Sequence, residues 1–168
     1  MLSRRVLRGV RGSLHLTAAL SAPRPATVPQ RTFIHRTYQQ VQEAGMVKVM
    51  PSGTCESRRY VLKRDGMGFS FHWTVLYPNT TMYIHYKRHL EAVMCVKGAC
   101  EVELVEPMAG EGSGEVVRVE AGDMYALDGH ESHHLRCLEE DCHLICVFNP
   151  ACTGEERQGA DGSFELLD

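Results

Sequence analysis

Two stretches, IHYKRHLEAV at 84–93 and GDMYALDGHESHHLR at 122–136, concentrate imidazole, carboxyl and phenol groups. These side chains are metal-ligand types, and short runs of alternating hydrophobicity bracket both stretches. Two ligand-rich segments so far apart in the chain converge only if a sheet folds back on itself, as in a small barrel. Working outward, a period of two residues recurs at 60–62, 69–77, 91–96, 101–105, 116–119, 125–127, 134–137 and 143–148. Asp65-Gly66, Pro78-Asn79, Lys97-Gly98, Gly110 to Gly114, Ala121-Gly122 and Asp128-Gly129 punctuate these runs as turns. The pattern predicts an all-β chain, an antiparallel sandwich or closed barrel without a helix of three turns.

A chain of 168 residues is one ordinary domain, and there is no internal repeat. The formal net charge of −3 hides an asymmetry. Residues 1–42 hold Arg4, Arg5, Arg8, Arg11, Arg24, Arg31 and Arg36 with no lysine and no acid, so the remaining body is markedly acidic. On a helix, Arg4, Arg8 and Arg11 share one face, opposite Leu2, Val6 and Val10, before Pro23, Pro25 and Pro29 end any helical run. An arginine-rich, acid-free, amphipathic leader is the pattern of a mitochondrial transit peptide. Residues 1–45 are therefore expected to be a disordered or cleaved leader and linker directing the protein to the mitochondrial matrix. If translation starts at Met46, the protein is expected in the cytoplasm. Thr37 to Gly45 reads as linker or one short helix with no cap, and the folded domain as 46–168.

The acidic body offers a nucleic-acid backbone little to hold. No apolar run reaches the length needed to span a bilayer. Seven cysteines (Cys55, Cys95, Cys100, Cys137, Cys142, Cys146, Cys152) form an odd set without CxxC spacing, which argues against a disulfide framework. Cys95, Cys100 and Cys146 fall within hydrophobic runs and read as small core residues. The acidic stretch 155–168 carries no strand pattern and is expected to fold over the barrel mouth or fray.

A jelly-roll barrel of the cupin type carries a glutamate six residues before a glycine turn and a second glycine-led hairpin. Glu91 before Gly98, and Gly122-Asp123, fit that pattern, whereas Tyr83 and Tyr125 stand where cupins commonly have histidines. With this departure, IHYKRHLEAV (84–93), GDMYALDGHESHHLR (122–136) and LICVFNPACTGEE (144–156) resemble the ectoine synthase family over about residues 46–168. The resemblance implies a metal-dependent hydro-lyase that cyclises N4-acetyl-L-2,4-diaminobutyrate with loss of water, working as a homodimer on a small zwitterion. It implies a divalent iron held by Glu91, Tyr125 and His133. On donor type alone zinc also fits this carboxylate, phenolate and imidazole set, which leaves positions open for substrate. His89, Tyr86 and Glu156 match positions close to the reacting groups. Of these, His89 carries the imidazole, the side chain suited to proton exchange near neutrality.

Arg59, Thr74, Cys146 and Phe148 match substrate-orienting positions, with Arg59 as a carboxylate fork and Phe148 as an apolar wall. Three substrate-side positions depart from the family: Cys55 replaces a tryptophan, His72 an asparagine and Gln158 a histidine. Gln158 can hydrogen-bond but cannot carry a proton. These departures keep two other readings open, a metal-dependent cupin of oxygenase type with altered substrate and a catalytically silent small-molecule-binding cupin.

Overall fold

A computed structural model describes residues 33–105, 114–159 and 163–164. The leader through residue 32 and most of the glycine-rich loop at 110–114 lie outside the described residues. One compact unit runs from His35 to Asp168. It opens with a helix, α1 (Tyr38–Glu43), that has the cap the sequence reading missed. The Thr37 hydroxyl accepts from the Gln40 N–H at 3.2 Å while the Gln40 side chain accepts from the Thr37 N–H at 2.9 Å. This T-x-x-Q capping box satisfies two otherwise orphaned donors. Val41 is fully buried, so the helix packs as part of the unit.

Eleven strands follow among the described residues: β1 (Val47–Val49), β2 (Cys55–Val61), β3 (Ser70–Leu76), β4 (Thr81–Tyr86), β5 (Leu90–Lys97), β6 (Ala99–Leu104), β7 (Val116–Glu120), β8 (Met124–Leu127), β9 (His133–Cys137), β10 (Cys142–Asn149) and β11 (Ser163–Phe164). They form two sheets, β1-β2-β3-β10-β5-β8 and β11-β4-β9-β6-β7. Each of the eight expected runs overlaps a strand. β1, β4, β11 and the first half of β2 are additions. β4 (TMYIHY) reads as a ligand cluster before it reads as a strand, and β11 is held by its parallel pairing with β4 and a bridge from Phe164 to Gln158.

The facing surfaces build the core. Leu76, Val93, Cys95, Cys142 and Leu144 come from one sheet, and Val102, Cys100, Val119, Leu135 and Cys137 from the other. Burial of such surfaces is the main source of stability. All seven cysteines are buried and free, as small core residues. At the turn between β5 and β6, Gly98 has φ +77°, and a side chain there would lie 2.5 Å from the Asp141 carbonyl oxygen, so only glycine fits.

Arg36 ties the start of the unit to the 3-10 turn at Lys63–Asp65 by paired bonds of 2.8 and 2.6 Å to the two Asp65 oxygens. Asp65 also accepts from the Leu62 N–H at 2.9 Å. The Arg36 guanidinium, together with that N–H, outweighs burial and holds the Asp65 carboxyl below its ordinary value. A depressed folded pKa stabilises the fold above the unfolded value near 4 and stops doing so as pH falls through the folded value. Asp65→Asn is expected to cost about 2 kcal/mol at neutral pH. Thermal melts of both proteins should converge on acidification below about pH 4. A difference unchanged by pH would show that the ionised pair is not its source.

Candidate metal and substrate site

Strand register sets the inner face of the larger sheet. Arg59 pairs with His72, His72 with Cys146, Cys146 with Val93 and Val93 with Tyr125. One row across five strands therefore carries an arginine at one end and a tyrosine at the other. The adjacent row runs from Ser70 through Phe148 and Glu91 to Leu127. Because successive side chains alternate faces, Glu91 and Tyr125 share the inner face as diagonal neighbours. His133 comes from the opposite sheet, paired with Ile84 on β4 and Leu104 on β6.

These rows line one cavity between the sheets, to which Cys55, Arg59, His72, Thr74, Tyr86, Glu91, Tyr125, Cys146, Phe148, Cys152, Glu156, Gln158 and Phe164 all contribute. His133 and His89 touch this lining through Tyr125 and Tyr86. The Tyr125 and His133 rings meet edge-on at 6.2 Å, bringing imidazole and phenol from different sheets together.

At this end of the cavity the buried donors are unpaired. Glu91 is 7% exposed, with Oε2 buried and unpartnered, and burial pushes its carboxyl up to about 8. His133 is fully buried, with Nε2 unpartnered, and burial brings its imidazole down to about 4, so it is neutral. Burial also raises the Tyr125 phenol well above its ordinary range. Buried polar atoms left unpaired cost free energy; a divalent cation would oppose the upward shifts of Glu91 and Tyr125 by favouring their anionic oxygens, and the neutral His133 imidazole already offers it a lone pair. The donors therefore fit an ion.

At the other end, the Arg59 Nη1 donates to the Gly154 carbonyl while its Nε is buried with no partner. Gly154 has φ +95°, and a side chain there would meet Leu62 at 2.9 Å, so this glycine lets the loop close over β2. Glu156 holds the same loop, accepting from the Thr153 N–H and hydroxyl (2.5 and 2.8 Å) and from the Gly154 N–H (2.9 Å). Burial alone would raise its carboxyl, but these donors prevail and keep it below its ordinary value. Glu156 is thus an ionised anchor at the cavity rim, a state that supplies no proton.

His89 sits between β4 and β5, 1% exposed, with Nδ1 2.7 Å from the Pro150 carbonyl. A carbonyl only accepts, so Nδ1 carries the proton and Nε2 keeps its lone pair. Tyr86 links this histidine to the apolar wall, its ring 5.8 Å from His89, 4.7 Å from Phe148 and stacked at 4.7 Å on Phe164. Phe164 thereby packs on the cavity wall, while residues 160–162 and 165–168 of the acidic stretch lie outside the described residues.

The three departing positions all line the cavity. His72 is 6% exposed, tilted 5.1 Å from Phe148, and brought down to about 3 by burial and then by Arg59, so it is neutral, with Nε2 unpartnered. Gln158 donates to the Tyr83 carbonyl at 2.7 Å, using its amide to fasten the C-terminal segment to β4. Cys55 is a buried thiol raised to about 11 by burial. Sequence reasoning gave Cys152 no role, yet it lines the cavity beside His89; its place at 152, four residues before Glu156, was the available signal.

Residues 33–168 match the family described as "Ectoine synthase". The chain is 50% identical over 117 residues to L-ectoine synthase of Desulfatibacillum aliphaticivorans, covering 70% of this chain and 85% of that protein. It is 49% identical over 134 residues to L-ectoine synthase of Wolinella succinogenes, covering 80% of this chain and 97% of that one. A crystal structure of ectoine synthase from P. lautus superposes with a TM-score of 0.64 at 38% identity, covering 73% of this chain and 81% of that chain.

Proposed function

We propose, from the premise that this chain belongs to the ectoine synthase family, that its cavity closes N4-acetyl-L-2,4-diaminobutyrate into the tetrahydropyrimidine ring of ectoine with loss of water. The chain is a lyase of compatible-solute biosynthesis. The observation that carries the reading is one cavity with the Arg59 guanidinium, its Nε unpartnered, at one end and the buried, unpartnered Glu91 oxygen beside Tyr125 at the other.

Glu91, Tyr125 and His133 would hold a divalent cation, iron in our reading, which when bound supplies a Lewis acid for the acetamide oxygen. The protein's own residues supply the rest. Arg59 and Thr74 bind the substrate carboxylate, and the unpaired Arg59 Nε is a ready donor for it. Phe148, Tyr86 and Phe164 form an apolar wall that excludes water and folds the flexible substrate so that its free amine faces its own acyl carbon. Cys146 lines the same wall as a neutral thiol, its Sγ 3.7 Å from the Thr74 hydroxyl. His89, held in one tautomer by Pro150, takes the amine proton on Nε2 and returns it to the departing oxygen. The full chain loaded with ferrous ion and incubated without oxygen is expected to yield a cyclic product one water lighter than the substrate, read by proton NMR. Saturable substrate binding without product would overturn the activity.

The family match begins at residue 33, leaving the arginine-rich segment before it as added sequence. In our reading this segment is a mitochondrial address, and the enzyme is a homodimer, a state that sedimentation velocity reports. A fluorescent protein carrying residues 1–45 should enter mitochondria; its retention in the cytosol would remove the targeting role. No helix among the described residues is long and apolar enough to cross a membrane.

A further inference from the structure

We propose that His89, Cys152 and Glu156 form a second cation site, for a borderline-soft divalent ion of the zinc class, distinct from the set of Glu91, Tyr125 and His133. A ring nitrogen of His89, the Cys152 Sγ and a carboxylate oxygen of Glu156 lie within 4.8 Å of one another. His89 and Cys152 are 1% and 3% exposed, and Glu156 is partly buried at the rim. Each member is fixed by the surrounding chain. The Nδ1–H of His89 donates to the Pro150 carbonyl at 2.7 Å, the orienting bond that metal-ligating histidines characteristically carry, and Nε2 is left buried and unpartnered. Cys152 is held through its backbone N–H, which donates to the Ser70 hydroxyl at 3.2 Å, and its Sγ lies 4.0 Å from His89 Nδ1. Glu156 is set in place by its Thr153 and Gly154 donors.

Donor chemistry selects the ion. A thiolate, an imidazole and a carboxylate with an open fourth position is a zinc-type set, whereas the other set offers two oxygens and a nitrogen and suits a harder ion. On binding, the Cys152 S–H bond breaks as the sulfur–metal bond forms, and one proton leaves to solvent. The thiolate and the Glu156 carboxylate together balance the dipositive charge. The ion takes the same Nε2 lone pair that receives the amine proton, so a cation bound here and proton exchange by His89 exclude one another.

Cobalt(II) tests it, because a cobalt–thiolate bond gives a near-ultraviolet charge-transfer band that carboxylate and imidazole ligands do not produce. Titrating the full chain with cobalt(II) is expected to give such a band, displaced by zinc. Glu91→Ala should retain the band while losing one bound ion per chain. Cys152→Ser should lose the band while retaining the other ion, and His89→Gln should weaken the band-forming site by about tenfold or more. Absence of the band in the wild-type protein at saturation overturns the proposal, as does a band undiminished in Cys152→Ser, which would place the thiolate at Cys55 or Cys146. If Cys152→Ser does not fold by circular dichroism, His89→Gln decides: weaker binding upholds the site, and unchanged affinity removes it.

Discussion

Glu91→Ala is expected to abolish ferrous-ion binding at the cavity and to lower kcat/KM for ring closure by about 10²–10³-fold, the scale on which losing one electrostatic stabiliser of a developing oxyanion is felt. The carboxylate is the only group among the three expected ligands that ordinarily carries charge near neutrality, so its loss removes most of the attraction for a dication. Stability should respond differently from activity. In the metal-free protein Glu91 is a buried acid with an unpartnered oxygen, and removing such a group relieves a desolvation penalty. Metal-free Glu91→Ala is therefore expected to melt no lower than the metal-free wild type. Added ferrous ion, at a hundredfold its dissociation constant, should raise wild-type stability by about 2.7 kcal/mol and leave the variant unmoved. Calorimetric melts with and without iron, alongside metal analysis, check this. Wild-type iron content in the variant would strike Glu91 from the ligand set.

The second large effect lies at the opposite end of the row. Arg59→Ala is expected to cost about 2–4 kcal/mol in kcat/KM, roughly 30- to 1000-fold, carried chiefly by KM because the substrate carboxylate does not change charge during ring closure. Arg59→Lys should restore little, since a point charge replaces a planar fork and Nε has no counterpart in lysine. The bond from Nη1 to the Gly154 carbonyl adds a structural component, because it helps fasten the 153–156 loop over β2. Steady-state kinetics with the acetylated diamine separates the two. A fall in kcat at unchanged KM would mean that Arg59 shapes the loop without holding the substrate.

The strands were legible because a half-buried sheet writes its own period into the chain, as in Phe69 to Tyr77 and His143 to Phe148. β4 was not, because Tyr83, His85 and Tyr86 look like chemistry before they look like a strand; only Ile84 is buried there, and the Tyr83 ring rests against His134 at 5.4 Å. The Thr37 cap was present in the letters as T-x-x-Q and was passed over for want of an apolar stripe behind it. Within the site, alternation places Glu91, Val93 and Cys95 on one face. That His133 faces them from the other sheet follows from closure of the barrel, which no local pattern encodes. The grouping of His89 with Cys152 and Glu156 is likewise invisible along the chain, because it depends on the 150–156 segment returning over β2 and on the Pro150 carbonyl meeting a histidine 61 residues earlier. The altered positions Cys55, His72 and Gln158 differ in what they do: Gln158 fastens a segment, whereas His72 presents an unpaired nitrogen in the cavity.

The proposed chemistry requires that one cation be gripped by Glu91, Tyr125 and His133 together. Anomalous diffraction at the iron edge from crystals soaked in ferrous salt tests it most directly. A single strong peak is expected, bounded by a Glu91 carboxylate oxygen, the Tyr125 phenol oxygen and His133 Nε2. A peak elsewhere in the cavity, with those three side chains turned apart, would contradict it.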